Sequence, residues 1–166
     1  HSFRAIRCGI ADLADTPGNW LKSHFLTWQP KVKEVTYYSP EWLTYYAISD
    51  CTVKAKATFP DKSSSMTSLK GMTAGECVTL NLQYGNKYPS YLEVYAEAGG
   101  ARLSVSQFYK FTDIHSEDEQ WFLFENSLGG MDTFRAHGVN RLQAEHGHLI
   151  AELDENLSEY DVETDR

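Results

Sequence analysis

Apolar and polar residues alternate with a period of two along much of the chain. In Cys51–Phe59, the residues Cys51, Val53, Ala55, Ala57 and Phe59 share one parity, and Thr52, Lys54, Lys56 and Thr58 the other. Side chains on a strand point to opposite faces in turn, so this segment is predicted to lay one face on a core and the other in water. Residues 76–84 place Val78, Leu80, Leu82 and Tyr84 inward, with Cys77, Thr79, Asn81 and Gln83 outward. Residues 90–98 set Leu92, Val94 and Ala96 against Tyr91, Glu93, Tyr95 and Glu97. Residues 101–111 set Leu103, Val105, Tyr109 and Phe111 against Arg102, Ser104, Ser106 and Lys110. Ser64–Met72 is a further candidate for a short strand.

The joints between these runs are rich in turn formers. Phe59-Pro60-Asp61-Lys62 follows the first run, Thr73-Ala74-Gly75-Glu76 precedes the second, and Gly99-Gly100 makes a tight hairpin of the last two. Short alternating strands with such punctuation predict an all-β fold, an antiparallel sandwich of the immunoglobulin or fibronectin kind. Helical periodicity is nearly absent. One short helix fits near Leu13 or around Trp20–Phe25, and Pro17-Gly18 is expected to break anything longer.

The organisation expected is an N-terminal segment over 1–25, a β-sandwich unit over 26–112, a polar linker over 113–120 and a second β unit over 121–166. The second unit is read as opening strands only, cut short at Arg166. Within it, Asn126, Gly129 and Gly130 are predicted to form a structural turn between two strands, with positive φ expected at Gly130. A phosphate cradle would need a helix after the glycines, whereas Met131–Arg135 alternates like a strand.

Composition narrows the function. The net charge of −8 with scattered basic residues argues against nucleic acid as a partner. No apolar run is long enough to cross a bilayer as a helix, so no membrane partner is expected. The chain opens on His1-Ser2 without a Met and ends on a charged run; both ends are expected to be cut from a longer protein. Strand parity puts Cys51 and Cys77 on different faces, which disfavours a disulfide between them; Cys8 is the third cysteine.

Candidate chemistry is sparse. His146 and His148 share a strand face near His137, Glu145 and Glu152, but no third ligand is fixed, and solvated histidines around Gly147 are the expected reading. Glu117, Asp118 and Glu119 read as solvated linker charge. No nucleophile elbow or paired-carboxylate signature occurs, so no catalytic residue, metal or cofactor is expected and the chain is read as a non-enzyme. The aromatic stretch 37–46 offers Tyr37, Trp42 and Tyr45 as speculative ligand-binding residues that could stack on a surface glycan. The competing expectation is that they fill the core.

Three segments carry a resemblance: Phe25-Leu26-Thr27-Trp28-Gln29-Pro30, Pro40-Glu41-Trp42-Leu43, and Phe122-Leu123-Phe124-Glu125-Asn126-Ser127-Leu128-Gly129-Gly130. Over about residues 20 to 140 the chain resembles multi-domain structural proteins encoded by Bacteroidetes phages and prophages. There, the first motif opens one β-sandwich unit and the last opens the next. The chain departs from that pattern at Gln29, where Arg is common, at Met131, where an aromatic is common, and at His137, where a small residue stands. The resemblance implies a non-enzymatic, tail-associated role in a virion, with neighbouring domains or other structural proteins as partners. The rival expectation is a carbohydrate-binding module, and an enzyme trails both.

Overall fold

The computed structural model describes residues 17–82, 88–114, 118–137, 147–153 and 158–164. Expectations for Cys8, Leu13, Tyr84, His115–Glu117, Glu145 and His146 lie outside the described residues, as do those for the side chains of His148 and Glu152. One helix, α1 (Pro17–Ser23), leads into β1 (Val32–Val35), β2 (Glu41–Tyr46), β3 (Cys51–Thr58), β4 (Ser64–Met72), β5 (Cys77–Leu82) and β6 (Tyr91–Ala98). There follow β7 (Ala101–Arg102), β8 (Gln107–Phe111), β9 (Gln120–Glu125), β10 (Met131–Ala136), β11 (Gly147–Leu153) and β12 (Ser158–Thr164). Pro17 opens the helix: its fixed φ and missing N–H suit the first helical position.

The all-β expectation holds. The main sheet runs β1-β8-β6-β3-β4, with β7 added to β6, and β2-β5 forms a separate antiparallel pair. Pairing in the main sheet is antiparallel except for β1 with β8, which run parallel from Val32↔Phe108 to Val35↔Phe111. The core lies between these layers. Val53 and Ala55 of β3, Val94 and Ala96 of β6, and Tyr109 of β8 pack with Leu43 and Tyr45 of β2 and Leu82 of β5. Cys51 is buried, Cys77 is exposed, and no disulfide joins them.

Parity fails at two places, each for a local reason. Tyr95, predicted outward, is buried: its hydroxyl donates to Met66 Sδ at 3.4 Å and the Arg102 guanidinium lies 4.1 Å from its ring centroid. Residues 101–111 are not one strand. The Gly99 and Gly100 turn (φ 57° and 82°) starts β7, but the chain leaves the ladder after Arg102 and rejoins it at Gln107. In between, the Ser104 hydroxyl accepts from the Ala96 N–H at 2.9 Å and Val105 N donates to Ser23 O at 2.7 Å. Ser104 and Ser106 are therefore buried and Val105 is exposed, the reverse of the alternation. A side-chain hydroxyl replaces a ladder partner, which no period-two pattern records.

Burial assigns stability unequally among the aromatic and aliphatic residues of β1–β2. Leu43 is fully buried, so Leu43→Ala is expected to cost about 2–5 kcal/mol by lost transfer energy and cavity formation. Tyr38, 78 % exposed, is expected to tolerate Ala within about 0.5 kcal/mol. Urea melts of the two variants check this, and similar costs for both would contradict the assigned core.

Candidate functional site

The feature that most constrains the molecule is a joint between the Phe25–Gln29 segment and the β9–β10 hairpin. β9 and β10 pair antiparallel from Met131↔Glu125 to Ala136↔Gln120, so residues 126–130 are the hairpin loop that the glycine pair predicts. Asn126 organises this loop from inside. Its Oδ1 accepts from Leu128 N at 2.9 Å and Gly130 N at 3.1 Å, while Asn126 N donates to Gly130 O at 2.8 Å. Its Nδ2 donates to Leu26 O at 2.9 Å, across 100 residues of sequence.

The Leu26 backbone is thus bonded on both sides, because Leu26 N also donates to Thr44 O of β2 at 2.9 Å. The neighbouring residues repeat the link. The Thr27 hydroxyl and Trp28 N both donate to the buried Asp132 carboxylate. Trp28 Nε1 donates to Ser127 Oγ at 2.8 Å, and Met131 N donates to Thr44 Oγ1 at 3.0 Å.

A buried ion pair lies beside these contacts. Lys33 Nζ donates to Glu41 Oε2, Thr133 O and Thr133 Oγ1, each at 2.7 Å, and the Thr133 hydroxyl donates to the same carboxylate. Glu41 is 1 % exposed, and burial pushes its carboxyl above the usual range, with Lys33 and Thr133 opposing that rise. Withdrawing a carboxylate and an ammonium from water is unfavourable unless each finds partners, and three donor contacts supply them for Lys33.

The two glycines do different things. Gly129 has φ 79° and takes the left-handed turn position. Gly130 lies outside that region, so positive φ is not its role. A Cβ there would stand 1.9 Å from Leu26 O and 2.8 Å from Leu26 Cβ, and this close approach is what demands glycine.

The aromatic candidates are not gathered in one exposed patch. Tyr45 is buried in the core and its hydroxyl donates to Lys22 O at 2.8 Å, so it has no face to offer a sugar. Tyr37 is half-buried, stacked on Phe111 with centroids 5.0 Å apart, and Trp42 of β2 is half-buried. Glu119, expected as solvated charge, instead has a side chain only 2 % exposed, 3.5 Å from Arg135 Nη1 and 3.7 Å from His137 Nδ1. Among the described residues no three His, Cys, Asp or Glu side chains gather as a metal site, and no helix is long and apolar enough to cross a membrane. Leu26, Thr27, Lys33, Glu41, Asp132 and Thr133 were not legible as site residues, because their partners are distant in sequence. The single local signal is the adjacency of two polar residues, Asp132 and Thr133, just past the glycines and Met131.

Gly130→Ala is expected to cost more than about 3 kcal/mol or prevent folding, because the clash is with backbone. Gly129→Ala is expected to cost about 1–2 kcal/mol and Gly129→Asn less, since Asn tolerates the left-handed region. Urea melts rank the three, and equal costs at both positions would contradict the division of roles.

The ion pair predicts a pH signature. Because folding raises the Glu41 carboxyl, its contribution is full below the unfolded value and is lost as pH rises through the folded one. Wild type should lose this component as pH rises above the ordinary carboxylate range, and Glu41→Gln should lack it. Lys33→Met should cost about 3–5 kcal/mol at neutral pH and less in acid, where Glu41 takes up a proton. Unfolding melts from acid to neutral pH measure both effects; a Lys33→Met cost independent of pH would contradict the assignment.

Comparison with protein-family models, curated proteins and solved structures finds no match for the chain, so its functional reading rests on the geometry above and on the motifs in its sequence.

Proposed function

We propose that the chain is a non-enzymatic structural or interaction module of a larger phage- or prophage-encoded protein, tail-associated in the virion. The observation that carries this reading is that the first and last motifs of the resemblance meet in space. Thr27 and Trp28 of one motif are hydrogen-bonded to Ser127 of the other and to Asp132 just beyond it, and Asn126 holds the Leu26 backbone. Motif side chains used in this way fix the orientation of one β unit against the start of the next, which suits a multi-domain structural chain. The Ig-like reading draws support from the strand order, β1-β8-β6-β3-β4 opposite β2-β5, with first and last strands of the unit side by side.

The exposed side of the β9–β10 hairpin adds to this. Phe122 stands opposite Phe134 in the register and Phe124 shares their face, at 50 %, 58 % and 46 % exposure. A contiguous aromatic face of this sort suits packing against a neighbouring domain or structural protein.

The test is to induce prophages in the source strain and analyse purified particles by peptide mass spectrometry. Peptides of this chain should co-purify with tail proteins. Recovery only outside the particles, or together with polysaccharide hydrolases, would overturn the reading.

A further inference from the structure

The Phe25–Gln29 segment also borders an open cavity of about 280 Å³, lined together with residues from α1 and from the 105–107 stretch. Trp20 and His24 line one wall as a stacked pair, centroids 5.0 Å apart and planes 8° apart. The pair is fixed from behind, with His24 N donating to Trp20 O at 2.9 Å and His24 Nδ1 2.9 Å from the Ser23 hydroxyl. Buried Gln107, whose Nε2 donates to Pro30 O at 2.7 Å, contributes to the lining, and so does the exposed Lys31.

Gln29 is a further lining residue. Both its Oε1 and its Nε2 are buried without a hydrogen-bond partner. By contrast, the Asn126 carboxamide makes three bonds, and the Ser104 hydroxyl accepts from the Ala96 N–H. A Met or Leu would fill the Gln29 position without the cost of an unpaired amide. An orphaned donor and acceptor beside a cavity with an aromatic wall is the pattern of a polar group kept for a ligand.

We infer that this cavity is a sugar site that takes a single pyranose ring. A carboxamide presents its donor and acceptor side by side in one plane. A vicinal diol matches that pair, one hydroxyl donating to Oε1 and its neighbour accepting from Nε2. Aromatic walls suit the apolar C–H face of a pyranose. Ligand pockets for drug-sized molecules run from about 300 to 1,000 Å³, so this cavity holds about one ring and not an oligosaccharide. The amide is shut off from solvent in this conformer, so binding includes a turn of the Gln29 side chain toward the cavity. The inference does not depend on the phage reading, and either can fail alone.

The test uses the whole chain with methyl glycosides of glucose, galactose and mannose, followed by saturation-transfer NMR, with uracil as a counter-probe. At least one glycoside should bind saturably in the millimolar range. Gln29→Met should weaken that binding about tenfold or more while leaving the ligand-free melting temperature unchanged or higher. Trp20→Ala should abolish binding; if that variant does not fold, Gln29→Met still decides. The inference is overturned if no glycoside saturates, if uracil binds and the glycosides do not, or if Gln29→Met binds as well as wild type. A clear fall in the Gln29→Met melting temperature would also overturn it, since the amide would then have a structural partner in solution.

Discussion

The carbonyl of Leu26 sits in a gap that admits no carbon atom: a Cβ at Gly130 would fall 1.9 Å from it. Much of the molecule's organisation follows from that closeness. With the Gly130 backbone against Leu26, the Asn126 amide reaches Leu26 O, and Leu26 N remains on Thr44 O of β2. β2 is then flanked by β5 through strand pairing and by the Leu26 backbone through a single bond, with Met131 N on its Thr44 hydroxyl. This explains why Glu41, Leu43, Thr44 and Tyr45 are all buried, although a strand with one solvated face would alternate.

Two kinds of interaction divide the work. The apolar core between the main sheet and β2-β5 supplies the bulk of the driving force, as burial of Leu43, Val53, Val94 and Tyr109 indicates. The joint contributes little net energy per bond, but its buried groups are costly to leave unpaired, so they select one arrangement over others. Asp132 and Glu41 are each nearly inaccessible, and each is surrounded by donors from another part of the chain. Losing one partner therefore penalises more than the contact itself.

Legibility in the sequence followed the range of the interaction. The strand cores of β3, β5 and β6 follow from period-two alternation, and the Gly99-Gly100 hairpin from composition, because both are set within a few residues. Ser104 and Val105 defeated the same reading: a hydroxyl bonded to Ala96 and a helix-end carbonyl at Ser23 reversed their parity. Gly130 looked like a turn residue because positive φ is the commonest reason for a glycine there. Its actual reason, Leu26, lies more than a hundred positions earlier and leaves no local trace. Tyr45 looked available for stacking because aromatic density was visible and its burial was not.

The β9–β10 loop and the Phe25–Gln29 segment are expected to open together with the sandwich core, as one cooperative unit. Native-state hydrogen exchange tests it residue by residue. The amides of Leu26, Leu128, Gly130 and Met131 should exchange with the same opening free energy as those of Val53 and Val94, and lose it in parallel as denaturant is added. Exchange of the loop amides through a local opening several kcal/mol below that of Val53 and Val94 would contradict it.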